Sequence, residues 1–545
     1  MTAARVLDVV IAGYGPVGAT LAKLLGQSGL NVAVLESASA IYDKPRAITA
    51  DHEAMRVFQE CGLADAIAPG TVPHPGTDYR GLNGQVIKRF YPQPPPHPLA
   101  WEPTFMFVQP DMEAAIRAGV QGHANVQVLL GHELTSFEED RDGVVVRARR
   151  SPDGTDAELC CRYLIACDGG RSLVRRQLGS PIEDLAFDEW WMIIDARIKG
   201  AVELPPRAVQ YCRPARPGTY MVGPGTLRRW EIKLLPGESA EDFQSAEAVR
   251  KVWGSFIDVD AFELWRTAIY RFHALVVAQW NTARVFLMGD AAHQMPPFLG
   301  QGLCAGIRDA SNLAWKLDGV LKGRFSESVL ATYGMERKPH VRTVVSHAKS
   351  FGLIIGELDP DAARARDERL EAELHSGRAE TVRQKFIPGL TCGLIDTDAD
   401  GEPTRGAGAL FPQPWVRGAD GEFHRLDDQL PRGFLIATNL DGVDGWLDAE
   451  ARAIWARLGG QMARISPSAA PGHGTMAAFS ERDGVFAGWL AAQGQPVALV
   501  RPDHYVHGMA SDAAGLGALV RRLGQSLLAH GPVEATTTES GAKDR

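Results

Sequence analysis

A glycine pattern near the beginning of the chain constrains the fold more than any other feature. Gly13, Gly15 and Gly18 form a GxGxxG sequence that directly follows an apolar strand and leads into a helix at Pro16, and Glu36 ends the next apolar strand. In such a βαβ unit the glycines provide a tight turn, close approach of the backbone to a pyrophosphate, and close helix–strand contact. All five residues are therefore predicted to bind a dinucleotide, with Gly15 least tolerant of a side chain and Glu36 unfavourable to a 2′-phosphate.

The length of 545 residues exceeds what one hydrophobic core usually supports, so we expect about three domains. Hydrophobic residues make up 45% and charged residues 23% of the chain, as is typical of a folded globular protein. The formal net charge of -9, and the absence of any Lys/Arg cluster with interleaved aromatic residues, argue against a nucleic-acid partner. With no recognisable leader or membrane span, and seven cysteines in no paired spacing, the chain is expected in the cytoplasm and away from membranes.

Two further motifs select FAD over NAD as the bound dinucleotide. An apolar strand ends at Gly289-Asp290 and is followed by a glycine-rich loop that enters a helix. The carboxylate can hold a ribityl hydroxyl, and the loop can present backbone N–H groups to a flavin ring. Asp168-Gly169 follows another apolar strand, although such a pair is first of all a turn. The FAD-binding residues predicted from these motifs are Asp168, Asp290, Pro297, Gly300, Gln301 and Gly302, and no metal site is predicted.

The three motifs, in this order, resemble the group A FAD-dependent aromatic hydroxylases (monooxygenases) over roughly residues 6–340. The segment 45–48, with Asp51, Glu53 and Arg56, resembles in particular the 3-(3-hydroxyphenyl)propionate hydroxylase subfamily. The resemblance implies an α/β fold with a Rossmann-like FAD-binding domain, an inserted, mainly antiparallel β-sheet substrate domain and a C-terminal thioredoxin-like domain. The expected boundaries are 1–180 and 271–345 for the FAD-binding domain with an excursion at 69–101, 181–270 for the substrate domain, 346–400 for a helical bridge, 401–532 for the thioredoxin-like domain and 533–545 for a flexible tail.

The resemblance also implies the reaction. Such an enzyme uses NAD(P)H and O2 to hydroxylate a phenolic ring ortho to its hydroxyl group through a flavin C4a-hydroperoxide. The subfamily implies 3-(3-hydroxyphenyl)propionate or a similar phenolic acid as substrate and the catechol as product. Arg46 and Gln109 match family residues beside the flavin. No second GxGxxG lies between a strand and a helix, so NADH or NADPH is expected as a transient co-substrate of a monomer or homodimer.

The main catalytic group to identify is the one that removes the phenol proton. A free phenol has a pKa near 10, so only about one part in a thousand is phenolate at pH 7. Asp51 and His52 are the candidates, because the family resemblance places their segment beside the flavin ring. For Asp51, capping of a helix that begins at Glu53 is an equally good explanation. His293, also near the expected flavin, is interpreted as a structural hydrogen-bonding residue.

A substrate carboxylate needs a cationic or amide anchor, and the segment 211–229 contains four arginines that are candidates for it. From this segment Arg213 and Tyr220 are predicted to bind the substrate. Two other functions stay open at this point: hydroxylation of a larger polycyclic or polyketide phenol, and a non-catalytic FAD-binding regulator. A flavin disulfide reductase is disfavoured, because no CxxC pair is present. The C-terminal domain contains no cysteine after Cys392, so a role in packing or oligomer contact is expected rather than thiol–disulfide exchange.

Overall fold

A computed structural model describes residues 6–151, 153–378, 380–467 and 476–528. The predicted flexible tail 533–545 lies outside the described residues. The described chain forms an α/β fold in which three larger sheets of seven, nine and five strands each organise one part of the molecule. Within these described ranges, no helix is long and apolar enough to cross a membrane.

The strands and the α-helices, numbered in chain order, have the following bounds. The strands are β1 (Leu7–Ala12), β2 (Val32–Glu36), β3 (Thr49–Asp51), β4 (Val72–Pro73), β5 (Thr77–Arg80), β6 (Val86–Tyr91), β7 (Thr104–Met106), β8 (Val126–Leu130), β9 (His132–Glu139), β10 (Val144–Arg150), β11 (Asp156–Ala166), β12 (Ile182–Ile198), β13 (Ala208–Tyr211), β14 (Gly218–Val222), β15 (Leu227–Lys233), β16 (Phe262–Val277), β17 (Val285–Leu287), β18 (His293–Gln294), β19 (Glu380–Val382), β20 (Trp415–Arg417), β21 (Phe423–Arg425), β22 (Leu435–Thr438), β23 (Gln461–Ser466), β24 (Ala477–Ser480), β25 (Val497–Val500) and β26 (Val506–Ala510). The helices are α1 (Pro16–Gln27), α2 (His52–Glu60), α3 (Ala64–Ile67), α4 (Gln109–Gln121), α5 (Leu173–Leu178), α6 (Ala246–Trp253), α7 (Gly302–Leu321), α8 (Thr332–Ile355), α9 (Pro360–His375), α10 (Leu426–Gln429), α11 (Ala449–Arg457), α12 (Val485–Gln493) and α13 (Ala513–Leu527).

The seven-stranded sheet of the dinucleotide-binding domain runs β8-β2-β1-β11-β10-β9, with β17 added beside β11. Strands β2, β1, β11 and β17 are neighbouring parallel strands. β1, β2 and β17 are buried almost throughout, and β11 is buried in its second half, where it lies between β1 and β17. Carboxyl ends of parallel strands meet at one edge of the sheet. This arrangement brings the glycine turn after β1, Glu36 after β2, Asp168 after β11 and Asp290 after β17 to the same edge.

The nine-stranded sheet of the substrate domain runs β18-β16-β12-β15-β14-β13-β5-β6-β19 and is mainly antiparallel. Two of its strands, β5 and β6, come from the segment 69–101, which the sequence predicts to be an excursion outside the sheets. A third, β19, comes from the predicted helical bridge 346–400 and pairs with β6 in parallel. The glycines and prolines of these segments mark the turns between short strands, and the strand register that joins them is set by residues far away in the chain.

The two faces of the substrate sheet pack against different parts of the molecule. Because side chains alternate along a strand, successive residues belong to opposite faces. Met192, Tyr220 and Trp230 point to one face and form a separate core with Trp253 of α6. Residues of the opposite parity, such as Met221, pack against Ile48, which precedes β3, and against Met106 of β7. We call this second surface the inner face of the sheet.

The C-terminal domain contains the five-stranded sheet β24-β23-β22-β25-β26 with α11, α12 and α13. Strands β22, β23 and β24 are parallel, and β25 and β26 are antiparallel to their neighbours. The thioredoxin-like assignment stays a prediction. The domain is joined to the dinucleotide-binding domain through buried polar residues, among them Tyr505, whose hydroxyl group donates to Glu53 over 2.8 Å.

Candidate active site

The glycine turn between β1 and α1 has the geometry expected of a nucleotide site. Gly13 has a φ of +99°, and a Cβ there would overlap the carbonyl oxygen of Cys167. At Gly18 a Cβ would overlap the carbonyl oxygen of Gly13. At Gly15, by contrast, no protein atom lies within 4 Å of the position of a Cβ. The polypeptide alone therefore requires glycine at two of the three positions, and the open space at the third is where a pyrophosphate would approach α1.

Glu36 is held against this turn by backbone donors. Its Oε2 accepts the N–H of Tyr14 over 2.8 Å, and its Oε1 accepts the N–H of Ala38 over 2.8 Å. The two contacts fix the carboxylate at the carboxyl end of β2, beside the glycine turn. This position suits a ribose hydroxyl and agrees with the predicted role.

Asp168 and Asp290 lie on adjacent turns at the same edge. Asp168 accepts the N–H of Leu173 through Oδ2 over 2.8 Å, and its buried Oδ1 has no partner among the described residues. Asp290 is exposed on the turn after β17. Arg175 ties the two turns together by donating to the carbonyl oxygens of Gly170 and Ala291, so it serves the loops rather than pairing with Asp168. Both carboxylates can still accept hydroxyl donors of a bound nucleotide.

The predicted flavin loop comprises a helical turn at Pro297–Leu299 and the residues that lead into α7 at Gly302. Gly300 has a φ of +66°, which only glycine adopts without strain, and it directs the chain into α7. Gln301 accepts from Arg308 over 3.0 Å. The free N–H groups of the first turn of α7 face the loop, as an electron-rich ring edge would require.

Gln109 and Arg46 are the two residues that the family resemblance places beside the flavin, and they contact each other. The Gln109 side chain accepts the backbone N–H groups of Arg46 and Ala47 over 3.1 and 2.6 Å. Gln109 therefore fixes the segment that the resemblance places beside the flavin, while the Arg46 side chain is exposed and lies 5.0 Å from the centre of the Tyr42 ring.

Asp51 is fully buried and acts as the N-cap of α2, where it accepts the N–H of Ala54 over 3.0 Å. Its other oxygen accepts from Arg308 over 2.5 Å. Burial alone would raise the pKa of Asp51, but Arg308, His52 and the Ala54 N–H together lower it. This geometry favours the capping alternative over proton removal from a phenol. Through Arg308, Asp51 positions Gln301 of the flavin loop.

His52 is also buried, and burial lowers its pKa to about 4. Its Nδ1 makes no hydrogen bond with the described residues. His293 donates its Nε2–H to the Asp309 carboxylate over 2.9 Å and stacks on Trp280, which agrees with a structural interpretation.

The predicted substrate-binding residues lie on the wrong side of the sheet. Tyr220 is buried in the core beneath α6, 5.3 Å from the ring of Trp230, and its hydroxyl lies beside Arg228. Arg213 donates to the carbonyl oxygens of Arg216 and Ser255. These assignments are wrong because they followed composition alone, whereas the alternation of the strands decides which side chains reach the cleft.

The other three arginines of that segment already have partners. Arg216 is ion-paired with Glu238 over 2.6 Å, and Arg228 donates to backbone carbonyl oxygens. Arg229 does point to the inner face, but it is bound to Asp195 over 2.7 Å and to the Arg46 carbonyl oxygen over 2.7 Å.

Glu231 is a candidate that the sequence analysis missed. It lies on β15 two residues from Arg229 and therefore on the inner face. On one side of it Arg229 contacts the segment of Arg46, and on the other Trp191 lies 5.0 Å from Phe298 of the flavin loop. Its carboxyl group is buried and makes no hydrogen bond with the described residues; the nearest cation is Arg229 at 3.9 Å.

Burial raises the pKa of Glu231 to about 7, against the opposing effect of Arg229. The alternation of polar and apolar residues along 229–234 was a usable signal for this residue. This alternation indicated a strand with one buried face, but only the packing of the sheet shows that Glu231 lies on its inner face.

Comparisons with known proteins agree with this geometry. A family model described as "FAD binding domain" matches residues 6–348, and one described as "HcaD C-terminal domain" matches residues 408–526. The chain is 32% identical to the 3-(3-hydroxy-phenyl)propionate/3-hydroxycinnamic acid hydroxylase of Comamonas testosteroni, over 97% of this chain and 98% of the relative. It is 34% identical to a probable NADH-specific resorcinol 4-hydroxylase of Rhodococcus jostii, over 95% of both chains.

Solved structures show the same fold. The flavin-dependent monooxygenase PieE, in complex with FAD and substrate, aligns with a TM-score of 0.78 and 22% identity over 96% of this chain and 99% of that one. Aklavinone-11 hydroxylase, in complex with FAD and aklavinone, aligns with a TM-score of 0.74 and 24% identity over 96% of this chain and the whole of that one.

Proposed function

The chain belongs to the FAD-binding aromatic hydroxylases, and from this premise we propose that it hydroxylates a single-ring phenolic acid ortho to its hydroxyl group, with NADH and O2 as co-substrates. The observation that carries the proposal is the extent of the similarity to 3-(3-hydroxy-phenyl)propionate hydroxylases. It includes the substrate sheet and the C-terminal domain as well as the cofactor domain, over 97% of the chain. The preference for NADH is supported by the relative named as NADH-specific.

The residues of the candidate site fit FAD. Gly15 leaves room for a pyrophosphate, Glu36 lies where a ribose hydroxyl is expected, and Asp168 and Asp290 offer free acceptors. When bound, the cofactor supplies the redox chemistry: it accepts electrons from NADH and transfers one oxygen atom from O2. The polypeptide has to place the phenol and increase its ionisation.

We assign proton acceptance from the phenol to Glu231. A phenol with a pKa near 10 differs by about six pK units from an ordinary glutamate and by only about three from a carboxyl group whose pKa is near 7. Matching the two values lowers the free energy needed to move the proton toward the carboxylate. We propose that a phenol bound to the Glu231 carboxyl, whose neighbours contact the flavin loop and the segment of Arg46, has its ortho carbon directed toward the flavin.

A resorcinol hydroxylase is the second candidate, since the Rhodococcus jostii relative with that name is 34% identical over 95% of both chains. Resorcinol has no carboxylate, so the two candidates differ in whether the site needs an anion partner. The solved structures with large aromatic substrates are less than 25% identical and support only the fold.

The test is a substrate panel with product analysis. Purified protein with FAD is incubated with NADH and one of three phenols: 3-(3-hydroxyphenyl)propionate, resorcinol or a polycyclic phenol. We expect phenol-dependent NADH oxidation with the acid, and a product heavier by one oxygen atom that carries vicinal hydroxyl groups. Preference for resorcinol selects the second candidate. Retention of FAD without phenol-stimulated NADH oxidation contradicts both and favours a non-catalytic regulator.

A further inference from the structure

The buried arginines of this protein follow a rule with one exception. Nine arginines are buried among the residues that the structure describes. Eight of them have a carboxylate oxygen 2.5 to 3.3 Å from the guanidinium group: Arg56, Arg117, Arg229, Arg266, Arg308, Arg337, Arg366 and Arg501. The ninth, Arg383, has no described carboxylate within 4 Å, although its residue is only 7% exposed.

The contacts of Arg383 are all with neutral groups. Its guanidinium donates to the carbonyl oxygen of Leu299 over 3.1 Å and to the hydroxyl of Thr77 over 3.4 Å. The remaining neighbour is Nε2 of His74 at 3.3 Å. A guanidinium buried without a counter-ion costs free energy, so a fold that pairs all its other buried arginines gains nothing in stability from this one.

The His74 contact is weaker than its distance suggests. Nδ1 of His74 accepts the backbone N–H of Gly76 over 3.0 Å. Burial, and next the charge of Arg383, hold the pKa of His74 well below its usual value, so the ring is neutral. A neutral imidazole whose Nδ1 accepts carries its proton on Nε2. Two donors, the Arg383 guanidinium and the His74 Nε2–H, therefore face each other with no acceptor between them, which is the pattern of an anion site.

The position of these two donors suits the tail of a substrate. Both line a cavity of about 20 Å³ with Thr104, Gln384 and the exposed residue Glu102, and the cavity has room for a small polar group but not for an aromatic ring. Leu299, which Arg383 contacts, belongs to the flavin loop. Thr77 lies on β5, and three strand spacings, about 14 Å, separate β5 from β15 with Glu231. Thr77 pairs with Ala208, which belongs to the inner-face cluster, so Arg383 and Glu231 are placed along the same face of the sheet.

We propose that Arg383 and His74 anchor the carboxylate of the substrate, while the phenol hydroxyl lies at Glu231. The assignment rests on the proposed function, because it presupposes a phenolic acid. It replaces the four arginines of the segment 211–229, which already have partners. It also explains why a residue from the predicted helical bridge reaches the flavin loop.

The test compares 3-(3-hydroxyphenyl)propionate with its methyl ester, which differs only in the negative charge. The protein with bound FAD is titrated without NADH, and substrate binding is read from the change in flavin absorbance. For Arg383→Gln we expect the Kd of the acid to rise about 100-fold, as for loss of a charge-assisted pair, with the Kd of the ester within about threefold of wild type. Arg383→Lys should retain part of the preference for the acid, because it keeps the charge but not the planar fork.

Arg213→Gln is the matched control, because that arginine binds carbonyl oxygens on the outer side of the sheet, and it should leave both Kd values unchanged. An equal rise for acid and ester in Arg383→Gln overturns the anchor and assigns Arg383 a structural role at the loop. In steady-state assays of Arg383→Gln, a rise confined to the KM of NADH also overturns the anchor, in favour of binding of a nucleotide phosphate. If wild-type protein turns over none of the phenols, the proposed function fails instead, and the two failures are thereby distinguished.

Discussion

The interface between the dinucleotide-binding and C-terminal domains and the cleft beside the substrate sheet both bury charged side chains, but only at the interface does the polypeptide supply all the partners. At the interface Arg501 is bound to Glu336 and Asp503 over 2.8 and 2.6 Å, and Lys316 is bound to Glu336 over 2.7 Å. In the cleft Glu231 and Arg383 have no hydrogen-bonded counter-ion among the described residues. Charges of the first kind hold domains together, and charges of the second kind are free for ligands.

The interface also reaches the cofactor site. Tyr505 of the C-terminal domain donates to Glu53, and Glu53 and Asp51 are both bound to Arg308, which donates to Gln301 of the flavin loop. The C-terminal domain is therefore connected to the flavin loop by hydrogen bonds through Glu53 and Arg308.

The largest effect is expected where the cleft leaves space for the cofactor itself. Gly15→Val should abolish FAD retention, a loss of more than about 100-fold in affinity, because the side chain would occupy the position of the pyrophosphate. The polypeptide around it has room, so the fold should remain. Flavin content and far-UV circular dichroism check both points. Gly488→Val, in α12 with equally open surroundings, is the control and should keep its FAD. A yellow Gly15→Val protein would contradict the assignment.

Breaking a pair at the interface should cost about 3–5 kcal/mol of unfolding free energy, since Arg501→Met leaves Glu336 and Asp503 buried beside each other. Arg521→Met is the control, because its ion pairs with Asp448 and Glu450 are exposed and should be worth less than about 1 kcal/mol. Urea unfolding of both variants checks the difference. If both variants lose little unfolding free energy, the buried carboxylates Glu336 and Asp503 do not depend on Arg501 for stability.

Glu231→Gln should lower kcat by about 100-fold, with flavin reduction by NADH unchanged, because an acceptor for the phenol proton contributes on that order. With a phenol whose own pKa lies below 7 the loss should disappear. A merely structural role would give the same loss for both phenols, and single-turnover kinetics separates the two outcomes.

The same variant has a pH signature in stability. The folded-state pKa of Glu231, raised to about 7, exceeds its usual value, so the wild-type folded state binds more protons than the unfolded state between these values and loses stability as pH rises through that window. The unfolding free energy of Glu231→Gln relative to wild type should therefore increase with pH from about 4.5 to 7. A pH-independent difference would contradict the buried, partnerless carboxyl.

The smallest effect is expected on the outer face of the substrate sheet. Tyr220→Phe keeps the ring contact with Trp230 and should change the unfolding free energy by no more than about 1 kcal/mol, with the KM of the phenol unchanged. A tenfold or larger increase of that KM would move Tyr220 back into the substrate site.

The cofactor half of this protein could be predicted from the sequence because its signals are local. The residues after β1, β2, β11 and β17 follow apolar strands directly, and parallel strands bring their carboxyl ends to one edge without further information. The glycines at 13 and 18 are demanded by contacts within that same unit. FAD binding and the family followed from these motifs.

The substrate half was decided by tertiary structure. Whether Tyr220 or Glu231 faces the cleft depends on sheet parity and on what covers each face, and the strands β5, β6 and β19 join the sheet from segments that local composition assigns to loops or helix. Arg383 lies 309 residues from His74 in the chain, and no local sequence pattern links them. Whether a buried charge has a partner depends on how distant segments pack in the interior, and it therefore cannot be predicted from local sequence patterns.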